Sequence, residues 1–157
     1  MELRRANALD ISALIHLIMK MHSEAEVKIP TLDVGKVTDS VVNAMKVGVV
    51  VVAINEDKKS YKHKYGEDKK LIGSIGGFAA EDWFSKEKLL GDLWFFVLEE
   101  YRKTKAGISL IKEFINVGKE AKLNIRLGHI YFGDIERKDN FYEKLGFVKA
   151  GCTYVEK

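Results

Sequence analysis

The chain has 157 residues, 46% of them apolar and 31% charged, with 26 basic against 23 acidic residues for a formal net charge of +3. That length suits a single domain over residues 1–157 with a real core, and so small a charge excess argues against nucleic acid or a membrane surface as the main partner. The one cysteine, Cys152, excludes an internal disulfide and a metal site built on Cys pairs. With the signal-free start MELRRANALD, it points to a reducing, cytoplasmic setting.

Glu2–Ala6 reads as a short strand. Ile11, Leu14, Ile15, Ile18, Met19 and His22 then recur at the spacing of one helix face, with Asp10 placed to cap it. Asp33 is the expected cap of a second helix, in which Val37, Val41, Ala44 and Met45 share a face. Val47–Ile54 (VGVVVVAI) is almost entirely β-branched, a strand expected to be buried on both faces and too short to span a bilayer. The charged run Glu56–Lys70 reads as a solvent-exposed hairpin loop.

Leu71–Ala80 is a glycine-rich strand, and its GSIGGF matches neither a dinucleotide fingerprint nor a P-loop. Asp92–Leu98 (DLWFFVL) is an aromatic strand. Thr104 is placed to cap a helix reaching about Ala121 that buries Leu110, Ile111, Phe114, Ile115 and Gly118. Ile125–Phe132 reads as a strand, Arg137–Leu145 as a short helix stopped by Gly146, and Phe147–Val155 as a closing strand. In this β-α-α-β-β-β-α-β-α-β order an antiparallel meander leads into a βαβ unit, which makes an α/β domain of mixed strand direction.

The chemistry concentrates at Leu93–Leu110, where an aromatic strand runs through a basic turn into a helix. The first turn of a helix offers unpaired amides and partial positive charge, a natural phosphate site. Arg102, Lys103 and Lys105 add charge beside it, and Gly107 permits close approach of a ligand to the backbone. Further on, Asn140–Phe147 (NFYEKLGF) forms a short amphipathic helix with a glycine stop, in which Phe141 and Leu145 read as core. Tyr142 belongs either to that core or to a neighbouring cleft.

Together, YRKTKAGISLI and NFYEKLGF resemble the GNAT superfamily of N-acetyltransferases, and the element order resembles that fold over essentially the whole chain. The compact size and divergent phosphate loop are similar to those of bacterial and phage members. The resemblance implies the GNAT acyl-CoA N-acyltransferase fold, a mixed central sheet of about 6–7 strands with about 4 helices. It also implies direct transfer of an acetyl group from acetyl-CoA to a small-molecule or peptide amine through a tetrahedral intermediate, with no metal. Arg102 and Gly107 match the ends of the family's phosphate loop, while Lys105 stands where its first Gly is usual. Lys103, Thr104, Ala106 and Ile108 complete that loop. Phe96, Val97 and Leu98 would lie along the pantetheine arm where two strands splay, and an amide at Val97 or Leu98 would hold the thioester oxyanion.

By the same resemblance Tyr142 protonates the departing thiolate, and Asn140 is a further cofactor contact; Ile135 occupies a position where the family often has Asn. For a general base, Glu81, Asp82, Asp92, Glu99 and His129 are equal candidates, beside a chain of waters. Cys152 reads as a small buried hydrophobe rather than a nucleophile. Homodimers are common in the family. The acceptor pocket is expected among the first two helices, the loop between them and the Glu56–Lys70 loop. The competing reading is a catalytically weak GNAT-fold module that binds CoA or another protein.

Overall fold

The computed structural model describes residues 1–25, 29–55, 70–128 and 134–154. Strand β1 (Glu2–Arg5) precedes helices α1 (Ile11–Ser23) and α2 (Val34–Val47), then β2 (Val49–Asn55), β3 (Lys70–Glu81) and β4 (Lys88–Val97). Helix α3 (Ala106–Glu120), the short β5 (Asn124–Arg126) and α4 (Ile135–Lys144) follow. Among the described residues the strands form one sheet in the order β1-β2-β3-β4-β5. The first four are antiparallel neighbours, and β5 joins β4 in parallel through the α3 crossover.

Two cores sandwich this sheet. Val50, Val52 and Ile54 of β2 pack with Leu14, Leu17 and Ile18 of α1 and Val41 and Ala44 of α2. The alternate residues Val49, Val51 and Ala53 face Leu110, Ile111 and Phe114 of α3. Strand β2 is thus buried on both faces, as its unbroken β-branched run requires. Phe141, Tyr142 and Leu145 place α4 on the α3 side.

The decisive local feature lies between β3 and β4. Their register shifts between Gly76 and Gly77: Gly76 opposes Trp94 and Gly77 opposes Asp92, which leaves Leu93 as the extra residue of a β-bulge. Both glycines are there for space. A Cβ on Gly76 would lie 2.1 Å from Cζ2 of the Trp94 indole, and one on Gly77 would lie 1.9 Å from the Gly91 carbonyl oxygen. The glycine-rich GSIGGF segment is therefore a seat for an indole and a bulge, not a nucleotide loop. Ser74, fully buried beside it, donates to the Val51 carbonyl at 2.9 Å and accepts from the Trp94 indole N–H at 3.2 Å.

Several sequence expectations change here. Asp10 makes no capping bond to α1. It accepts from the Asn7 amide at 2.8 Å and pairs with both terminal nitrogens of Arg4, at 2.6 and 2.9 Å, because a buried carboxylate gains more from a bidentate guanidinium than from one amide. In α1, Leu17 is buried while Met19 is 41% exposed, so the stripe is rotated from the one expected. Val47 ends α2 instead of opening β2. Asp33 does cap α2, accepting from the Lys36 amide at 2.9 Å.

The expected strand Ile125–Phe132 is assigned only over Asn124–Arg126 in its described part; residues 129–133, like the 56–69 loop, lie outside the described residues. The closing strand expected at Phe147–Val155 is not formed over 147–154, where Val148 is 87% and Tyr154 88% exposed. Apolar side chains alone do not make a strand; a neighbouring edge must supply ladder partners, and here none of the described strands does. The sheet consequently has five strands among the described residues where 6–7 were expected, while the four α-helices agree.

Because the atom that would meet a new Cβ at Gly77 is backbone, side-chain repacking cannot relieve it. Gly77→Ala is expected to cost about 2 kcal/mol or more of stability. Gly107→Ala, whose nearest contact would be an ordinary 3.5 Å, should cost nothing measurable. Urea unfolding midpoints of the two variants check the contrast.

Candidate active site

From β4 the chain passes through a 3₁₀ turn, Glu99–Tyr101, into α3. Thr104 acts at this helix start much as its position suggested: its hydroxyl oxygen lies 3.2 Å from the Ala106 amide that it accepts from, while Lys105 is the backbone N-cap. Among the described residues no hydrogen bond reaches the Gly107 or Ile108 amides. Two donors at the positive end of a 15-residue helix are thus left available, flanked by the exposed side chains of Lys103 and Lys105. A Cβ on Gly107 would make ordinary contacts of 3.5 Å with Phe95 Cζ and 3.8 Å with Val97 Cγ2, so the helix start packs close against the strand there. Ala106 is fully buried and anchors that first turn.

Arg102 is engaged differently from a free phosphate clamp. Its Nε donates to the Val97 carbonyl at 2.9 Å, its guanidinium lies 5.1 Å above the centre of the buried Phe96 ring, and a terminal nitrogen pairs with Glu24 at the end of α1. Glu24 carries no motif that ties it to Arg102; only the fold brings the two together.

Beyond Gly91, β4 has no strand partner on its β5 side among the described residues. The Leu98 amide, one of the two considered for the oxyanion, donates to the Ile72 carbonyl at 2.9 Å and is spent within the sheet. Antiparallel alternation then turns the Val97 and Phe95 amides toward the open edge. Since Arg102 already holds the Val97 carbonyl, the Val97 N–H is the donor presented at the end of this edge.

Tyr142 is half-buried on α4, with Phe141 at a ring-centre distance of 5.6 Å and Phe147 at 6.4 Å, both edge-on. Asp134 caps α4 by accepting from the Arg137 amide at 3.0 Å, and Gly146, at φ 88°, reverses the chain. The reversal returns Phe147 to the tyrosine ring, its amide bonding the Tyr142 carbonyl at 3.1 Å. That is the physical content of FYEKLGF: a helix end that clamps its own tyrosine.

Across from it, the Asp92 carboxylate accepts from the Gly128 amide at 2.8 Å. Burial pushes its pKa up to about 6, against the opposing pull of the Gly128 and its own backbone amides. Burial also raises the Tyr142 pKa, and the Asp92 charge raises it further. The two residues therefore sense each other at the open edge of β4.

Of the other base candidates, Glu81 and Glu99 are exposed, Asp82 pairs with Arg126 at 2.8 Å, and His129 lies outside the described residues. Asn140 is exposed on α4, and Ile135 is 62% exposed. Cys152 is exposed rather than a buried hydrophobe, since the segment that carries it joins no sheet.

On the opposite face of the sheet a cavity of about 420 Å³ is lined by α1, the following loop, α2, and Leu93 and Trp94 of β4. The two helices and their connection are where the acceptor pocket was expected. The contribution of β4 was not, because it depends on the bulge.

The profile of the GNAT acetyltransferase domain matches residues 46–149, more than half of the chain. The protein belongs to the GNAT acetyltransferase family. Comparison with curated proteins gave no match. Among solved structures, a protein from Bacillus halodurans, solved as a tetramutant, superposes with a TM-score of 0.72 at 19% identity, covering 100% of this chain and 99% of its own. An acetyltransferase from Trypanosoma brucei gives 0.69 at 18%, covering 99% and 98%. Glucosamine-6-phosphate N-acetyltransferase from Arabidopsis thaliana gives 0.69 at 13%, covering 99% and 97%. At these identities the likeness concerns the fold, and it extends over the whole of this GNAT chain.

The raised Asp92 pKa fixes the sign of a stability effect. Between about pH 4 and 6 the folded state keeps a proton that the unfolded chain has lost, so ionisation of Asp92 lowers stability as the pH rises through that window. Asp92→Asn should therefore be more stable than the parent at pH 8, by up to about 3 kcal/mol, and no more stable at pH 3. Urea unfolding at the two pH values tests this.

Proposed function

We propose that this GNAT protein transfers the acetyl group of acetyl-CoA directly to a primary amine, with Asp92 as general base and Tyr142 as general acid. The observation that carries the reading is their pairing: two groups whose burial separates their roles, set at the unpaired edge of the strand that runs toward an open helix N-terminus. Environments that push acid and base apart are what proton transfer at neutral pH needs.

The residues fit the cosubstrate in three ways. The Gly107 and Ile108 amides, with Lys103 and Lys105 beside them, suit a diphosphate. The bare backbone at Gly107, next to Phe95 and Val97, lets a narrow pantetheine arm approach the helix start closely. The open β4 edge offers it peptide-like partners at Phe95 and Val97. Arg102 serves this edge by holding the Val97 carbonyl, and Phe96 and Leu98 support it from the opposite core.

In the reaction Asp92, ionised at neutral pH, takes a proton from the incoming ammonium. The Val97 N–H donates to the thioester oxygen as negative charge grows there. Tyr142, kept protonated by its surroundings, donates to the sulfur as the carbon–sulfur bond breaks. The ammonium loses two protons on its way to the amide: one, passed from Asp92 to Tyr142 directly or through water, balances the proton given to the thiol, and the other is released to solvent. No covalent enzyme intermediate is required, in keeping with the remote and exposed Cys152. Holding both reactants on one strand supplies much of the rate gain.

Tyr142→Phe should lower kcat about 100-fold and leave acetyl-CoA binding essentially intact, read by single-turnover thiol release and calorimetry; an unchanged kcat removes Tyr142 from the mechanism. Separately, acetyl-CoA at 100 times its Kd should stabilise the protein by about 2.7 kcal/mol. Absence of any thermal shift at millimolar acetyl-CoA would favour a protein-interaction module over an enzyme.

A further inference from the structure

The family establishes a type of reaction and leaves the acceptor open. The profile match begins at residue 46, so α1, the loop after it and nearly all of α2 lie before it. Those are the segments that wall the 420 Å³ cavity. The acceptor must therefore be read from this chain's own lining.

The floor is aromatic and closed. Trp94 is only 5% exposed, and its one polar atom donates to Ser74 inside the sheet, so the cavity meets indole carbon. Leu93, 50% exposed on the bulge, adds an alkyl wall, and Ile18, Met21 and Val37 continue it along the two helices. The ionic groups of the lining are few. Asp33, the one carboxylate lining it among the described residues, is committed to the α2 N-terminus, where it accepts from the Lys36 amide, and Lys36 adds one positive charge to the lining, which disfavours a second cationic group on a ligand. The His22 ring is bonded to the Pro30 carbonyl at 2.8 Å. Among the described residues of the lining there is no acidic cluster to hold a second ammonium of a polyamine, and no group of arginines to hold a phosphate.

The cavity also has a direction. Leu93, in its wall, follows Asp92 in the chain, and the bulge turns the two side chains to opposite sides of β4. A ligand whose body lies against Leu93 and Trp94 therefore has to pass the bulge to bring its end to Asp92.

Building on the acetyltransferase reading, we infer that the acceptor is a primary amine carried on a single uncharged apolar body, aryl or branched alkyl, which packs on Trp94 and Leu93 while its ammonium reaches past the bulge to Asp92. Burial of an apolar body against carbon surface is the selective term, and hydrophilic amines forfeit it.

The test compares kcat/KM for 2-phenylethylamine and isoamylamine with that for spermidine and glucosamine, by acetyl-CoA-dependent thiol release. At least a tenfold preference for the two apolar amines is expected. Leu93→Asp should lower the phenylethylamine-to-spermidine ratio at least tenfold. A ratio measured on one preparation does not depend on the fraction folded, and Leu93 is exposed enough to accept the change. Calorimetry with acetyl-CoA alone separates the two levels of failure. If acetyl-CoA binds but spermidine or glucosamine is preferred, no amine in the set is acetylated, or Leu93→Asp leaves the ratio unmoved, the apolar-acceptor inference is overturned and the acetyltransferase reading stands. If acetyl-CoA does not bind, the acetyltransferase reading falls and the inference falls with it.

Discussion

One extra residue in one strand organises this molecule. The β-bulge opposite Gly77 breaks the simple alternation of β4, so that Asp92 joins the face of α3 and α4 while Leu93 and Trp94 turn to the face of α1 and α2. A regular strand cannot put three consecutive residues to this use, because side chains must then alternate strictly between faces. The bulge in turn exists because Gly77 has no side chain and lets the Gly91 carbonyl into the space a Cβ would need. A proton-accepting carboxylate and an apolar pocket wall are thereby held on neighbouring residues of a rigid strand, where their separation cannot drift.

The same strand carries energetic costs that make sense only together. Among the described residues its β5-side edge has no ladder partner past Gly91, where proteins ordinarily cover an edge. Asp92 is half-buried, and this desolvation disfavours its ionisation despite the Gly128 and its own backbone amides, from which its carboxylate accepts. Tyr142 is clamped between two phenylalanines with its hydroxyl's ionisation suppressed. Of these, the Asp92 desolvation weakens the free protein at neutral pH, where its carboxylate is ionised. Arg102 shows the opposite arrangement: it satisfies the Val97 carbonyl, covers Phe96 and ties α1 to the turn before α3 through Glu24.

The family match and most of the cavity lining occupy different parts of the chain. The GNAT match spans β2 through α4, the part that builds the open edge, the helix start and the tyrosine clamp. The helices that close the second cavity precede it almost entirely. The matched segments and the cavity-lining helices meet at β4, and similarity in the first says nothing of the second.

Much of this was legible in the amino-acid order. Element types follow from local periodicity, and so do the Asp33 cap, the doubly buried β2 and the glycine stop of α4, because each depends on neighbours within a few residues. The basic helix start at Arg102–Gly107 and Tyr142 in FYEKLGF were visible for the same reason. Tertiary structure alone decided the rest. It gave Asp92 surroundings unlike those of the other acidic candidates, with partial burial and the Gly128 amide, 36 residues away. It spent the Leu98 amide on Ile72, joined Arg102 to Glu24, exchanged Met19 for Leu17 in the core, and left 147–154 without the strand its side chains suggested. All of these depend on which surface arrives from a distant part of the chain. Local sequence fixes what a segment is able to become, but burial and pairing are properties of two segments at once.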